Sequence, residues 1–453
     1  MSKALAIAGI DPTGGAGLLM DIKVFHALGV YGIGIPTVIT IQDTSRVYNV
    51  CKISISIFKE MLSKVLNDVD VNHVKCGVLY SREIIQYLSK VIESYDLITV
   101  LDPIIKSRDG YTLLENDAFE ELKASLIPKV KLLTPNVIEA EYLSNLKIRD
   151  INDIKRAIKE IIRSYGCEAV LVKGGHLGMG DEVIDVLYTG GTFHEFRRRR
   201  LDIKIHGTGC ILSSAITAEL CKGKDLIEAV KAGLDFLHNL IETSLKIGKG
   251  YEVLDPTRNL RLCAEKFKVL ENLNQALEII EKYSEIFAQA IPEVQSNLAM
   301  ALPEEFLRSI NDVAAIPGRI INYMGKARPS GSPRFGASNH LARILLTVMK
   351  YNSNIRAVMN IKYSDELVEI AKKLGYIVSF FDRNEEPEHL KKIEGATLPW
   401  GIEIAIKRVG KVPDIIYDKG DVGKEPLIRV LGRDAVDVAL KVLNIMKNYL
   451  DYK

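Results

Sequence analysis

The sequence has few cysteines, no excess of charge and no long apolar run. Six cysteines occur among 453 residues, without a C-x-x-C pair or a Cys/His cluster, which excludes the usual zinc-site spacing and favours free thiols in a reducing compartment. Basic and acidic side chains nearly balance, 60 against 58, so nothing indicates a nucleic-acid partner. No apolar run approaches the ~18 residues that span a bilayer, and the opening MSKALAIAGI lacks a signal-peptide cleavage region. We therefore expect a cytoplasmic protein with no membrane or nucleic-acid partner.

Short apolar strands alternate with helical patterns through the first half of the chain. The strand patterns are IGIPTVITIQ, HVKCGVLY, LITVLDPII, KLLTPN and EAVLVKGGH. Each is continuously apolar and ends in a polar or Gly-bearing turn, which is typical of parallel strands covered by helices on both faces. Polar side chains follow these strands at Gln42, Asp102, Asn136, Glu139 and Lys173. Because ligands of such sheets bind beyond the carboxyl ends of the strands, these residues are candidates for one site.

The run from His206 to Cys210, HGTGC, precedes an apolar helical pattern. A helix N-terminus offers unpaired N–H groups and partial positive charge to a phosphate, and the same field lowers the pKa of a thiol. Cys210 could therefore act as a base beside an anion hole, or it could be a small core residue after a Gly-rich turn. The residues alone leave these two interpretations open.

A second Gly-rich turn, DPTGGAG, follows the first strand pattern and precedes a helix. It is not a Walker P-loop, because Gly15 and Ala16 stand where Lys and Ser or Thr are required, and it does not complete G-x-G-x-x-G. Both standard nucleotide loops are therefore excluded. The turn still suits close approach of the backbone to a small ligand.

The pattern changes after Lys249, where a long helical stretch leads to a break at Ile291 and Pro292. We predict a first domain over residues 1–255, a helical connector over 256–291 and a second domain over 292–453. The second domain contains a Gly-, Pro- and Arg-rich segment, followed by helices and short strands.

The first domain resembles the hydroxymethylpyrimidine/phosphomethylpyrimidine kinases of thiamine synthesis, within the ribokinase-like group. The matching runs, in family order, are AGIDPTGGAG, TIQDT, VKCGVL, LDPIIKSRDG, LTPNVIEAE, VLVKGGH and HGTGC. Ile10 replaces the family's Ser, and Asp43 replaces its usual Asn. The resemblance implies a three-layer α/β/α domain with a mainly parallel sheet, which uses ATP to phosphorylate the hydroxymethyl group of an aminopyrimidine and then the phosphate.

The resemblance also implies roles for individual residues. The expected pyrimidine-binding residues are Gly9, Asp21 and Gln42. The expected catalytic groups are the base Cys210 and an anion hole formed by Gly207, Thr208 and Gly209. The expected ATP and Mg²⁺ residues are Lys173, which would neutralise phosphate, and Asp102, Asn136 and Glu139, which would hold the metal.

Structural roles remain open for several of these residues. Asp102 could only begin a turn, and Asn136 with Glu139 could form a helix cap and its capping box. Lys173 could be a solvated strand end. The Arg197 to Arg200 run looks like a phosphate patch but is more typical of a strand edge with exposed arginines, so it is not included in the predicted site.

Residues 292–453 resemble the thiamine-phosphate synthase domain found fused behind this kinase, giving a smaller α/β domain unlike the barrel enzyme of that activity. The runs are PEVQSNLAMALP, DVAAIPGRI, FGASNHLARILL, IRAVMNIKY, DRNEEP, PDIIYDKGDVGKEP and IRVLG. The implied reaction joins the pyrimidine diphosphate to a thiazole phosphate and releases pyrophosphate. Gln295 stands where the family usually has Gly.

This reaction mainly needs cations that bind the leaving pyrophosphate, and a site that excludes water. The candidates are Arg319 and His340 as catalytic residues and Lys424 as a phosphate-binding residue. Asp382, Asp418 and Asp421 are possible supports for Mg²⁺. Structural alternatives are a surface ion pair for Arg319 and a helix cap for His340.

Two other functions stay open. The C-terminal domain could sense thiamine phosphate without catalysis, although the chain has no recognisable helix-turn-helix segment and keeps Arg319 and His340. The N-terminal domain could be a related kinase acting on pyridoxal. Both families commonly form dimers, so a homodimer is expected, with the aminopyrimidine and the thiazole phosphate as small-molecule partners.

Overall fold

A computed structural model describes residues 1–176, 182–200, 205–241, 243–391, 393 and 395–452 of the chain. The chain divides into two compact units, Met1–Asn259 and Leu260–Lys453. No helix in the described ranges is long and apolar enough to cross a membrane.

The N-terminal unit is built on a nine-stranded sheet. Its strands are β1 (Lys3–Ile10), β2 (Tyr31–Gln42), β3 (Val47–Lys52), β4 (His73–Cys76), β5 (Ile98–Leu101), β6 (Leu132–Leu133), β7 (Val170–Val172), β8 (Glu182–Thr189) and β9 (Thr192–Arg199). Their order is β3-β2-β1-β4-β5-β6-β7-β8-β9. The six strands from β2 to β7 in this order pair in parallel, and β3, β8 and β9 add antiparallel edges. A separate parallel pair joins β10 (Ile205–His206) and β11 (Glu252–Val253).

Helices cover both faces of this sheet. They are α1 (Gly17–Ala27), α2 (Ile55–Asp68), α3 (Arg82–Ser94), α4 (Asn116–Glu121), α5 (Val137–Ser144), α6 (Ile151–Tyr165), α7 (Thr208–Cys221) and α8 (Leu226–Ile241). One core cluster packs the sheet against α2 to α6, and another packs it against α1, α7 and α8. This burial explains why β1 reads as a continuous apolar run, and it confirms the three-layer, mainly parallel architecture predicted from sequence.

The C-terminal unit is a smaller α/β domain with a mainly antiparallel sheet. Its strands are β12 (Leu298–Ala301), β13 (Val313–Ala315), β14 (Ile320–Tyr323), β15 (Lys326–Pro329), β16 (Arg334–Phe335), β17 (Ala357–Lys362), β18 (Val378–Phe380), β19 (Ile415–Asp418) and β20 (Leu427–Gly432). The main sheet has the order β16-β13-β12-β17-β20-β19-β18, and β14 and β15 form a separate hairpin. Within the main sheet only β18 and β19 pair in parallel.

Helices lie on both faces of the second sheet as well. They are α9 (Arg258–Lys282), α10 (Ser284–Ala288), α11 (Asn339–Met349), α12 (Asp365–Lys373), α13 (Glu388–Lys391), α14 (Thr397–Val409) and α15 (Ala435–Tyr452). The cluster on one face contains α9, α12 and α15, and the cluster on the other contains α11 and α14.

The segment expected to be a helical connector belongs to the core of the second unit. Val269, Leu273 and Ile280 on α9 are buried in that unit's larger core cluster. The side-chain Oδ1 of Asn272 also accepts the backbone N–H of Ala435 at 2.8 Å, which ties α9 to the start of α15. The apolar stripe of α9 is therefore covered by this unit, so the helix is an integral element and not a linker.

Candidate active sites

Lys173 and Asp102 meet at the carboxyl edge of the N-terminal sheet. Each follows the last residue of its strand, β7 and β5, and the Lys173 Nζ lies 2.6 Å from Asp102 Oδ1. A Cβ built at Gly209 would lie 3.0 Å from Asp102 Oδ2 and 3.3 Å from the Lys173 Nζ. The first turn of α7 therefore faces this ion pair at very close range, as the clustering of strand-end residues predicted.

The two Gly-rich turns also meet. Gly207 has φ +85°, and a Cβ there would lie 2.0 Å from the Gly15 carbonyl oxygen, so only glycine fits. Helix α7 begins at Thr208, which leaves the N–H groups of its first turn without partners inside the helix. The backbone of Gly207, Thr208 and Gly209 thus forms the helix N-terminus that the sequence indicated.

Asp11 organises the turn after β1, and sequence analysis missed it. Its carboxylate accepts the Thr13 N–H and hydroxyl, both at 2.8 Å, and the Ala16 N–H at 2.9 Å. The His206 Nε2 lies 3.4 Å from its Oδ2. Burial opposes ionisation, but the neighbouring His206 imidazole and the hydrogen bonds from Thr13 lower the pKa of Asp11 overall. The signal was present in the sequence, because Asp followed two residues later by Thr is typical of a side-chain-stabilised turn.

Cys210 is a buried thiol on the first turn of α7. Burial raises its pKa to about 11, and the nearby Lys75 only partly opposes this, while Asp21 and Asp102 add to it. The expectation that the helix N-terminus lowers this pKa is therefore wrong, because removal of water outweighs the field of the helix. A thiolate formed here would be a strong base present in a small fraction near neutral pH.

Asp21 lies in a buried hydrogen-bonding network. It is fully buried on α1, and its oxygens accept Lys75 Nζ at 2.7 and 2.9 Å and the Ser214 hydroxyl at 2.8 Å. Burial alone would lower the pKa of Lys75, but the Asp21 carboxylate raises it well above its usual value. Ser214 is one helical turn from Cys210, so the network fixes α7 at the thiol. The expected contact of Asp21 with the pyrimidine stays a prediction, and the structure shows in addition that Asp21 supports the position of α7.

Replacing Lys75 with methionine is expected to destabilise the N-terminal unit by about 3–5 kcal/mol, because it leaves the Asp21 charge buried without its main partner. Urea unfolding followed by far-UV circular dichroism measures this. The fluorescence of Trp400, the single tryptophan, identifies the transition of the other unit. The control is Lys52→Met, which removes an exposed pair with Glu115 and should change stability by less than about 1 kcal/mol. Equal effects of Lys75→Met and Lys52→Met would contradict the assignment of Lys75 as the main partner of the buried Asp21 charge.

Asn136 and Glu139 form the capping box that sequence analysis left open. The Asn136 side chain accepts the Glu139 N–H at 2.9 Å, and the Glu139 carboxylate accepts the Asn136 N–H at 2.8 Å. Burial raises the pKa of Glu139 to about 7; Lys173 opposes this rise and Asp102 contributes to it. The single positive charge of Lys173 therefore does not fully compensate the two carboxylates of Asp102 and Glu139. The described part of the chain contains no group of three His, Cys, Asp or Glu side chains arranged for a metal. Two carboxylates and an amide nevertheless fit Mg²⁺, which keeps several of its waters in proteins.

Gly9 and Gln42 lie on neighbouring parallel strands. A Cβ at Gly9 would lie 2.8 Å from Val38 Cγ2, so a side chain would collide with β2. Gln42 ends β2 half-buried, and its Oε1 accepts the Thr40 hydroxyl at 2.9 Å. That bond leaves the Gln42 amide N–H groups for other partners.

The C-terminal unit contains a cavity of about 460 Å³ that brings together the residues predicted there. Its basic lining residues are Arg319, His340, Arg343, Arg383 and Lys424. Lys424 closes a tight turn by donating its N–H to the Asp421 carbonyl at 2.8 Å. The Glu425 carboxylate is already engaged, because it accepts the N–H groups of Glu293 and Val294, each at 2.9 Å. The cationic side chains of the lining outnumber this carboxylate, so positive charge predominates at the cavity.

His340 occupies the first turn of α11 and is not its cap. Ser338 caps this helix by accepting the Leu341 N–H. The imidazole is accessible from the cavity, but enclosure by the cavity walls and the positive charges of Arg429, Arg383 and Arg319 lower its pKa to about 4, with Asp418 opposing. His340 is therefore neutral near pH 7 and can accept a proton or a hydrogen bond.

Two cavity residues have left-handed backbone conformations. Gln295 has φ +67° and Arg319 has φ +69°, which are uncommon for residues with a Cβ. The Arg319 guanidinium donates to the Val294 carbonyl. Strain of this kind clusters at functional sites, and a glycine would adopt the Gln295 conformation without it.

Substituting Gln295 with glycine is expected to stabilise the C-terminal unit by about 0.5–1 kcal/mol, because relief of the left-handed strain outweighs the extra flexibility of the unfolded chain. The midpoint of urea unfolding followed by Trp400 fluorescence measures the change. Gln295→Ala is the matched control, since it shortens the side chain and keeps the strain. Equal midpoints for the Gly and Ala variants would refute the explanation.

These features define the class of each unit. The N-terminal unit is a small-molecule kinase of the ribokinase-like class, with a Gly-bearing helix N-terminus and a Lys–Asp pair at the carboxyl edge of a mainly parallel sheet. The C-terminal unit is a separate α/β domain with a basic cavity. Models of two protein families match the corresponding ranges: phosphomethylpyrimidine kinase over residues 11–255, and thiamine-phosphate synthase ThiN over residues 272–444.

The chain belongs to the family of bifunctional thiamine biosynthesis proteins that combine these two domains. It is 38% identical over 450 residues to the bifunctional thiamine biosynthesis protein ThiDN of Methanocaldococcus jannaschii, covering 98% of both chains. It is 42% identical over 254 residues to the hydroxymethylpyrimidine/phosphomethylpyrimidine kinase of Aquifex aeolicus, covering 56% of this chain and 99% of the relative. An ADP complex of Bacillus subtilis pyridoxal kinase matches 58% of this chain and 99% of its own, with 32% identity and a TM-score of 0.53. The predicted fusion of a kinase with a thiamine-phosphate synthase domain is thus confirmed.

Proposed function

We propose that the N-terminal unit transfers phosphoryl groups from ATP to 4-amino-5-hydroxymethyl-2-methylpyrimidine and then to its monophosphate. The C-terminal unit then joins the diphosphate to hydroxyethylthiazole phosphate, giving thiamine phosphate and pyrophosphate. The observation that carries the kinase proposal is the close approach of the α7 N-terminus to the Lys173–Asp102 pair, with Cys210 on the same turn.

In this mechanism the N–H groups at the start of α7 bind the transferring phosphoryl, because charge accumulates on its oxygens. Cys210 takes the proton from the attacking hydroxyl as the new P–O bond forms. Lys173 neutralises an ATP phosphate, and Gly9 and Gln42 hold the pyrimidine. Asp102, Asn136 and Glu139 would hold Mg²⁺, directly or through water, and the ion supplies further neutralisation of phosphate charge when bound.

In the C-terminal unit, Arg319 and Lys424 stabilise the departing pyrophosphate, while the aminopyrimidine stabilises the cationic carbon that remains. Neutral His340 is available to accept a hydrogen bond or a proton within the cavity. The support is the collection of basic groups around one cavity of about 460 Å³. We also propose that the enzyme acts as a cytoplasmic homodimer.

The test supplies purified protein with the hydroxymethylpyrimidine, ATP, Mg²⁺ and thiazole phosphate, and follows thiamine phosphate by its thiochrome fluorescence. Product from the wild-type chain supports both activities. If the reaction stops at pyrimidine diphosphate while thiamine phosphate binds tightly, the C-terminal unit is a sensor and the synthase proposal fails.

A second candidate substrate is pyridoxal, because the N-terminal unit has the fold of a pyridoxal kinase. Competition between the hydroxymethylpyrimidine and pyridoxal for one ATP pool separates the two. We expect the pyrimidine to have the higher kcat/KM, and a preference for pyridoxal would overturn the assignment.

A further inference from the structure

Three charged side chains form a buried network beside the C-terminal cavity. Asp418, at the end of β19, lies 2.7 Å from Arg383 Nε through its Oδ1 and 2.8 Å from Arg429 Nη1 through its Oδ2. The side chains of Asp418 and Arg429 are fully buried, and that of Arg383 is 8% exposed. Arg383 is the member of the network that lines the cavity.

Stability alone does not account for this network. Burying two guanidinium groups around one carboxylate leaves a net positive charge, and removing such ions from water is expensive. Arg429 Nε and Nη2 also have no hydrogen-bond partner among the described residues. Apolar side chains of similar volume would serve a core at least as well. The arrangement therefore indicates a role in fixing charge at the cavity.

The network holds Arg383 in one orientation. Asp418 binds its Nε edge, and the Phe381 ring centroid lies 5.6 Å from its guanidinium carbon. Arg429 lies 5.4 Å from the same ring and binds the opposite oxygen of Asp418, so the carboxylate is itself fixed. The terminal nitrogens of Arg383 have no hydrogen-bond partner within the described ranges. A guanidinium held at Nε with two free terminal nitrogens is suited to bidentate contact with phosphate oxygens.

We propose that Arg383 is a phosphate-binding residue of the C-terminal site, and that Asp418 and Arg429 are positioning residues that hold its guanidinium. This inference rests on the proposed function and extends it to the group that binds the pyrophosphate moiety. It also replaces the earlier expectation that Asp418 supports Mg²⁺, because both of its oxygens are engaged by arginines. The network was not predictable from the sequence, since its members come from three separated segments.

The test measures binding of inorganic pyrophosphate to the full chain by titration calorimetry, for wild type and for Arg383→Ala, Arg383→Lys and Asp418→Asn. We expect Arg383→Ala to weaken binding by about 10- to 100-fold, as for loss of a charged hydrogen-bond pair. Arg383→Lys should not restore it, because lysine cannot bind Asp418 and present two further donors together. Asp418→Asn should also weaken binding, because it keeps the Arg383 side chain but removes the carboxylate that orients it.

The matched control is Arg408→Ala. Arg408 also stacks on an aromatic ring, Phe380, and pairs with Glu385, but it does not line the cavity. The Arg408→Ala variant should bind pyrophosphate with the affinity of the wild type. Trp400 fluorescence reports folding of this unit in every variant. If Asp418→Asn unfolds the unit, the conservative Arg383→Lys variant still tests whether Arg383 binds phosphate.

Steady-state kinetics separate this proposal from the proposed function. We expect Arg383→Lys to raise the KM for pyrimidine diphosphate more than the KM for thiazole phosphate, with kinase activity unchanged. Pyrophosphate affinity within about twofold of wild type in both Arg383 variants would overturn the inference, even if synthesis proceeds. Conversely, Arg383-dependent pyrophosphate binding in a chain that makes no thiamine phosphate would support the subsite and refute the synthase proposal.

Discussion

Replacing Cys210 with alanine is expected to lower the rate of pyrimidine phosphorylation by about 100- to 10,000-fold, the usual contribution of a general base. Synthesis of thiamine phosphate from supplied pyrimidine diphosphate should be unchanged. The reason is that the thiol lies on the first turn of α7, where the attacking hydroxyl must meet the phosphoryl group. Initial rates of ADP release and of thiamine phosphate formation, measured on the same preparation, separate the two effects.

The pH dependence gives a second test of the same residue. Because burial raises the pKa of Cys210 to about 11, the thiolate fraction increases as the pH rises through the alkaline range. Wild-type phosphorylation should therefore increase with pH when the chemical step is limiting, and Cys210→Ala should lose this increase.

Cys221→Ala is the matched control for Cys210. It removes another thiol from α7, which donates to the Lys3 carbonyl at 3.1 Å, and should keep full activity. Retention of the wild-type rate by Cys210→Ala would exclude the thiol as the base.

The sequence predicted best the features that depend on local pattern. The apolar run of β1 and the glycines around Gly207 fix a buried strand and a helix start through steric and burial constraints carried by neighbouring residues. The strand-end positions of Asp102 and Lys173 were enough to place them at one edge of the sheet. Their 2.6 Å contact follows from the parallel pairing of β5 and β7 with the one strand between them, β6.

Features that depend on distant partners were not predictable in the same way. Lys75 lies within the short strand HVKC, and its full burial is possible only because Asp21, 54 residues earlier, provides the opposite charge. The raised pKa of Cys210 has the same origin, since burial of the thiol depends on the packing of the whole helix. The stripe on α9 predicted a helix, but a stripe does not identify the unit that covers it.

Replacing Arg319 with alanine is expected to lower the rate of thiamine-phosphate synthesis by about 100- to 1,000-fold, as for loss of one preorganised group that stabilises developing charge. Pyrimidine phosphorylation should be unaffected. His340→Ala should also lower synthesis selectively. Thiochrome fluorescence with supplied pyrimidine diphosphate and thiazole phosphate gives the rate, and ADP release gives the kinase control. If both variants synthesise thiamine phosphate at the wild-type rate, the reaction does not take place at Arg319 and His340.

The electrostatic link between Arg319 and His340 makes the prediction more specific than a loss of rate. Enclosure by the cavity walls and the charges of three arginines, one of which is Arg319, lower the pKa of His340 to about 4. If the reaction needs neutral His340, the wild-type rate should not fall through imidazole protonation until the pH approaches that value. Removing Arg319 removes one positive charge, so the pKa of His340 rises and the acidic limb of the residual activity should move to higher pH. A limb that stays in place would show that the Arg319 charge does not act on His340, so the pH profile tests this electrostatic link separately from the loss of rate.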